Sequence, residues 1–548
     1  MAPSMEVKHA EASVDDAVEQ VREFNDDEVV KNLVKDARTA SDAEHKISLM
    51  EGLRTYRKAV AWSVALSSCI IMEGYDTLLI GSFFAMPSFN RKYGEPDGKG
   101  GYTLTAPWQI GLTAGVSVGS MAGVALGGWL AGKFGYKRII ALALSMISGF
   151  IFITFFAPSL IALQIGLILC GLPWGMFQSV TVAYAAEVCP TNLRGYLTNY
   201  TNLCWIIGQI IGAGVLKGME TLDNEWSFRI PFAIQWIWPI PILVAVCFAP
   251  ESPWWLVRKG RIQEAERALN NLGTSGEWFN AKATVAMMIH TNKMEIENRE
   301  GTRWLDAFKG VNLRRTEIVC GIWATHALCG QKLMSYSIYF YTKTGLDPSN
   351  AFSLSLGQFA IGFAASLLSW VLLARMGRRT IILASLSAQA VLLLTIGCLG
   401  IPDASDATSW SIGTLMLVFM FIYNLTVGPG TYTIAAEIPS TRMRQKTIAL
   451  GINTGYVLGA SYTNVIGLYM LNSAGWNWGA KAGFFWFVHC CLCLLWAFFR
   501  LPEPKGRTYA ELDMLFEQRV PARKFKTAVV DPYATQPNEV QEIISKEE

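Results

Sequence analysis

The chain has 548 residues, of which 52% are hydrophobic and only 16% charged, and its mean hydropathy is positive. About a quarter of a soluble chain would be charged, so the deficit points to membrane spans. A net charge of +3 with no basic run excludes a nucleic-acid partner. Eleven cysteines, mostly inside apolar runs (Cys170, Cys204, Cys247, Cys320), exclude a disulfide framework.

The N-terminus, MAPSMEVKHAEASVDD, lacks the basic-then-apolar order of a cleavable signal, so the first span is expected to direct insertion. The first fifty residues are acidic and alternate short helical patterns with polar residues. With the tail after 520 they read as solvated, partly disordered segments. A spanning helix needs about 20 apolar residues. Runs of that kind lie at 59–86, 107–131, 139–157, 160–182, 197–216 and 230–249. Six more lie at 318–341, 351–373, 380–401, 411–434, 447–471 and 482–499. The polar stretch 251–315 between the two sets contains RIQEAERALNNLG, which has the pattern of an amphipathic helix. The expected organisation is a tail (1–58), a six-helix half (59–250), a helical linker (251–315), a second half (316–500) and a second tail (501–548).

Basic residues set the expected orientation. Arg54, Arg57 and Lys58 precede the first span. Lys133, Lys137 and Arg138 fill the 2–3 loop, Arg194 lies in 4–5, Arg375, Arg378 and Arg379 in 8–9, and Arg442, Arg444 and Lys446 in 10–11. The alternate loops are poor in them except the 1–2 loop, whose several basic residues Glu95 and Asp97 partly balance, which is expected to place both termini in the cytoplasm.

The halves repeat. KFGYKR at 133–138 recurs as RMGRR at 375–379, and YAAEVCPTNLRG at 184–195 recurs as IAAEIPSTRMR at 434–444. PESPWWL from Pro250 recurs as PEPKGRT from Pro502. Two parallel six-helix repeats of this kind place a substrate site between them at mid-membrane. An enzyme is not expected: no nucleophile–base set, metal cluster or GxxxxGKT phosphate loop is legible. No cofactor is implied.

GGWLAGKFGYKR, AAEVCPTNLRG, PESPWWLVRKGR, GPGTYTIAAEIP and LPEPKGRTYAELDMLF resemble the signature set of the sugar-porter branch of the major facilitator superfamily. GYDTLLIGSFFAMPSFNRKYG, LCGLPWGMFQS and SIYFYTKTG are similar to fungal maltose and α-glucoside permeases. The resemblance covers about residues 55–520. It implies an all-α membrane protein of the major facilitator fold that moves a disaccharide across a plasma membrane by alternating access. Glu187, Arg194, Glu437 and Arg444, with Glu251 and Glu503 nearby, correspond to a cytoplasmic gate of cations paired with acids. Carried over by position, Asn202, Gln331, Tyr336, Gln358, Tyr432, Asn453 and Tyr456 correspond to sugar contacts. Hydroxyls and amides suit a sugar because they donate and accept, although buried amides also join membrane helices.

Ionisable groups inside spans are costly and mark function. Asp76 matches the first-helix acid that resembles the proton site of proton-driven sugar porters, and Glu73 sits one turn earlier on the same face. Two features depart from that pattern: Leu167 stands where maltose-type permeases often carry glutamate, and Lys332 follows Gln331 at cavity depth. Lys332 pairing with Asp76 or Glu73 would replace the mobile proton and weaken coupling; a snorkelling Lys332 would not. Proton symport, an uncoupled facilitator and a sugar-sensing receptor with partners at its tails therefore all stay open. Maltose-type α-glucosides are favoured, with lactose and cellobiose as alternatives. His489 reads as a packed, hydrogen-bonded side chain, and Cys490 and Cys493 as helix packing.

Overall fold

The computed structural model describes residues 27–83, 86–96, 102–219, 222, 224–274, 279–297, 304–331, 348–402, 405–471, 476 and 478–532. Ten helical stretches among them are long and apolar enough to cross a membrane. The first, Arg57–Phe83, is two helices meeting at Ser68. Next come Pro107–Phe134, Tyr136–Phe155, Leu160–Val188, Thr191–Met219 and Trp226–Phe248. In the second half they are Leu356–Arg375, Arg378–Leu399, Ala407–Glu437 and Gly479–Arg500. The seventh expected span begins as the helix Gly310–Leu328, and its 332–341 part lies outside the described residues. The eleventh is the helix Arg444–Val457, a π-helical turn at Leu458–Thr463, then Asn464–Leu471. The fold is the all-α arrangement of two six-helix halves. Its one extended element among the described residues is a two-residue antiparallel ladder joining Glu95–Pro96 to Tyr102–Thr103.

Local chemistry sets the helix ends. Ser159 caps the fourth span through its hydroxyl, which accepts from the Ala162 N–H. Gly135, at φ +91°, ends the second span in a conformation that favours glycine. Inside each half, small residues bring backbones together. A Cβ on Gly123 would lie 1.9 Å from the Leu172 carbonyl oxygen, and one on Gly175 would lie 2.0 Å from that of Ser120. The second and fourth spans therefore touch backbone to backbone, as lipid-embedded helices do when small residues recur every four positions. Outward faces stay apolar: Phe152, Ile161, Ile240, Phe248, Val391 and Leu492 are all exposed.

Beneath the loops that carry most of the basic residues, hereafter the basic face, the linker folds into Pro253–Arg258, Ile262–Leu272, Ala281–Glu297 and a short 3-10 turn at Trp304–Phe308. The helix Tyr509–Glu517 joins them. The first described helix, Asp27–Lys46, departs from the expected solvated tail. It packs Ala37 and Ala40 against Ala283, Ala286 and Met287 of the linker, with Val34 at the edge. A face made chiefly of alanine carries little hydropathic signal, so the segment reads as polar until its partner is seen.

Candidate functional site

Two acids of the first span lie within the bundle, and both are buried. The Glu73 carboxylate accepts from Gln178 Nε2 at 2.5 Å and from the Tyr456 hydroxyl at 3.0 Å. Gln178 belongs to the fourth span and Tyr456 to the eleventh, so Glu73 ties the two halves together. Tyr456 sits just before the π-helical turn, a distortion that often accompanies function. Asp76 accepts a hydrogen bond from Gln235 of the sixth span. Both acids are thus held by neutral donors, from the fourth and eleventh spans for Glu73 and the sixth for Asp76. Burying a carboxylate without a counter-charge is costly, and a proton is the smallest cation able to relieve it.

The expected sugar contacts divide. Tyr432 is buried and packs edge-on against Trp323, ring centroids 5.2 Å apart. Asn202 is buried and donates from Nδ2 to Ser366 Oγ across the two halves at 3.4 Å; one turn earlier, Asn199 donates to Ser369 Oγ at 2.6 Å. Both amides thus serve interhelical contact in this conformation. Gln358 is buried in the eighth span, and Gln331 and Asn453 are half-buried. Tyr336 and Lys332 lie outside the described residues, and with them the proposed Lys332–acid pair. His326 accepts from or donates to the Tyr423 hydroxyl at 2.7 Å, and His489 pairs with Tyr462 at 2.9 Å.

On the basic face the halves are tied by charge. Glu187 is the hub. Its carboxylate accepts from Arg444 Nη1 at 3.2 Å, from Arg258 Nη2 at 2.9 and 3.1 Å, and from the Ser252 hydroxyl. Arg258 also reaches the Thr441 carbonyl at 3.0 Å, a second bridge to the C-terminal half. Tyr509 lies between two guanidinium groups, 3.7 Å from Arg194 and 3.9 Å from Arg444. Cation–π contacts of this kind are strong when shielded from water.

The duplicated motifs do not act symmetrically. Glu437, the counterpart of Glu187, pairs with Arg378 at 2.9 Å rather than with Arg194. Arg194 donates from Nε to the Ala186 carbonyl and makes no ion pair among the described residues. Arg378 occupies the space beside Gly195, where an added Cβ would lie 2.7 Å from its Nη2. Glu251 and Glu503 bind backbone instead of cations. Glu251 accepts from the Tyr136 and Lys137 N–H groups at 3.0 and 3.3 Å, and Glu503 from those of Arg378 and Arg379 at 2.9 and 3.0 Å. Each caps the helix entering the third or ninth span. Burial pushes the Glu251 carboxyl up, against the pull of its N–H donors.

A second repeated device was not expected from the sequence. Glu44, on the N-terminal helix, accepts from the Thr191 hydroxyl at 2.6 Å and its N–H at 3.3 Å. Glu295, on the linker helix, accepts from the Thr441 hydroxyl and N–H, each at 2.7 Å. Thr191 and Thr441 lie three residues before Arg194 and Arg444, and the helices bearing the two glutamates pack together. They hold both arginine-bearing turns in one assembly. Glu44→Ala is expected to loosen it and raise maleimide labelling of Cys189, now buried beside this contact, severalfold. Peptide-resolved mass spectrometry measures that directly, and unchanged labelling would show Glu44 to be idle.

Two repeated six-helix halves, with buried acids between them and a charged closure at one face, are the parts of an alternating-access carrier. Residues 60–516 match the family model described as sugar (and other) transporter, and the chain belongs to that family. It is 42% identical over 515 residues to the maltose permease MAL31 of Saccharomyces cerevisiae, covering 92% of this chain and 83% of the relative. It is 40% identical over 509 residues to the general alpha-glucoside permease of the same yeast, covering 92% and 82%. Among solved structures, the proton:xylose symporter XylE matches with a TM-score of 0.73 at 20% identity, over 84% of this chain and 99% of the other. The protein is a multi-pass membrane sugar transporter.

Proposed function

We propose that this carrier brings a disaccharide, most readily a maltose-type α-glucoside, across the plasma membrane together with a proton, with both termini in the cytoplasm. The observation that carries the reading is the placement of Glu73 and Asp76. Both are buried in one helix within a turn of each other, both are held by neutral donors, and Glu73 reaches Tyr456 of the opposite half. A proton on these acids changes what they can bind, and Glu73 transmits that change between the halves. Identity to permeases named for maltose and alpha-glucosides supports the substrate class. The alternation of basic loops supports the orientation.

In this reading the Glu187–Arg444–Arg258 network and Tyr509 hold the cytoplasmic side shut while sugar enters from outside. Tyr432, Trp323, Gln358, Gln331, Asn453 and Tyr456 present ring faces and amides to it, and Asn202 joins them when the halves separate. The test is uptake of labelled maltose, trehalose, sucrose, cellobiose and lactose by yeast lacking its own sugar carriers. Maltose is expected to saturate uptake at the lowest concentration, and exclusive uptake of β-linked sugars would reverse the α-glucoside assignment.

A further inference from the structure

We propose that Arg379, Lys505, Arg523 and Lys526 form a binding site for the headgroup of an anionic phospholipid, where the basic face of the C-terminal half meets the membrane. Phe498 and Phe499 close the twelfth span and are 44% and 53% exposed. The span ends at Arg500, so these exposed apolar rings face lipid close to the end of its hydrocarbon layer. The Arg523 guanidinium lies over both rings, 4.5 Å and 4.7 Å from their centroids. That places a full positive charge at the depth of the lipid phosphates.

Arg379 approaches the same ring from the ninth span. Its guanidinium is 5.7 Å from the Phe498 centroid, and its Nη2 donates to the Phe498 carbonyl at 2.8 Å. Lys505 lies alongside, its ammonium donating to the Ala374 and Met376 carbonyls at 2.8 and 3.3 Å. Lys526, exposed and three residues beyond Arg523 past the 3-10 turn Ala522–Lys524, stands on the same segment, and burial with the charges of Arg378 and Lys526 lowers the Lys505 pKa against the pull of Glu503 and Glu437.

Four cations therefore converge, and none of them makes an ion pair among the described residues. Glu503 attracts Arg379 and Lys505 but spends its carboxylate on the backbone N–H groups of Arg378, Arg379 and Lys505. Neighbouring Arg500 is already matched by Glu317. Four clustered cations beside one such acid as Glu503 keep an excess of positive charge, which a further anion offsets. A phosphate monoanion supplies that charge and accepts the fork of N–H donors that guanidinium groups present. Free phosphate and a lipid headgroup share this chemistry. The rings beneath Arg523 favour the lipid, because acyl chains cover them while the headgroup meets the guanidinium. Each basic residue near an anionic leaflet adds to such binding independently of side-chain geometry, so the cluster as a whole sets the affinity.

The test uses the full chain in nanodiscs of phosphatidylcholine with a minor fraction of phosphatidylserine, followed by release into detergent and native mass spectrometry of retained lipid. Wild type is expected to retain phosphatidylserine about tenfold above its share, and the double variant Arg523→Ala/Lys526→Ala to lose that enrichment. A charge-matched control, Lys282→Ala/Lys481→Ala, should keep it. Both pairs are exposed, and a monodisperse elution profile shows whether each variant is folded. Equal enrichment in wild type and the Arg523 double variant would overturn the site. Displacement of the lipid by millimolar inorganic phosphate would overturn the lipid assignment in favour of a soluble anion.

Discussion

Replacing Asp76 with Asn is expected to abolish sugar accumulation while leaving the bundle folded. The amide is isosteric with the carboxylate and still accepts from Gln235 through its oxygen, so the contact between the first and sixth spans survives. What disappears is the group able to gain and lose a proton. A membrane potential of about 100 mV acting on one proton supplies about 2.3 kcal/mol, enough to concentrate a neutral solute about 50-fold. In Asp76→Asn the internal sugar should rise only to the external level, and the alkalinisation that accompanies sugar entry should vanish. Equilibrative exchange of labelled sugar should persist. Continued accumulation by the variant would remove Asp76 from the coupling step. Glu73→Gln is the instructive comparison, because its oxygen still accepts from Tyr456 and the half-to-half contact is kept. The expected result is weakened coupling with a changed apparent sugar affinity.

The second large effect belongs to the closure on the basic face. Glu187→Gln leaves Arg444 and Arg258 without their carboxylate in a site where Glu187 and Arg444 are almost fully buried. Removing one member of a buried ion pair costs about 3–5 kcal/mol, because the remaining charge is stranded. The penalty falls on the closed state, since opening that face lets water reach the arginines. Roughly 3 kcal/mol is a hundredfold shift in population, so the variant should rest open on the basic face. Uptake from the opposite side should fall more than tenfold, and Cys189 should become reactive to maleimide. Tyr509→Ala should act in the same direction with a smaller effect, losing the ring between Arg194 and Arg444. Closed-state labelling and normal uptake in Glu187→Gln would show that the halves are held together elsewhere.

Much of this was legible in the chain because the molecule is duplicated. Glu187 and Glu437 stand 250 positions apart in matching motifs, as do Arg194 and Arg444, and repetition marked them as one device. Their pairing was not legible. The motifs are equal on paper, but Arg378 is long enough to take Glu437 and lie against Gly195, and that breaks the symmetry. Arg258 and Tyr509 were visible inside recognised motifs without a role. An arginine reaching two halves, or a ring between two cations, is a fact of three-dimensional proximity that residue type does not encode.

The partners of the first-span acids were hidden for a related reason. Gln178 and Gln235 are ordinary amides more than a hundred positions away from Glu73 and Asp76. Asn202 teaches the converse, since its place in the pattern implies a sugar contact, yet in this conformation it faces Ser366. The docking of the N-terminal helix was hidden because Ala37 and Ala40 bury little apolar surface, and Glu44 looks like any surface acid until Thr191 is beside it.

One carrier that moves sugar and proton together through the Glu73–Asp76 pair must show both fluxes in a single preparation. The most direct measurement is simultaneous recording of labelled maltose and external pH in vesicles holding the purified wild-type chain, with a pH gradient imposed. Maltose is expected to accumulate above equilibrium, with proton entry in fixed proportion and both lost in Asp76→Asn. Maltose entry with no proton movement would contradict it and leave an uncoupled facilitator.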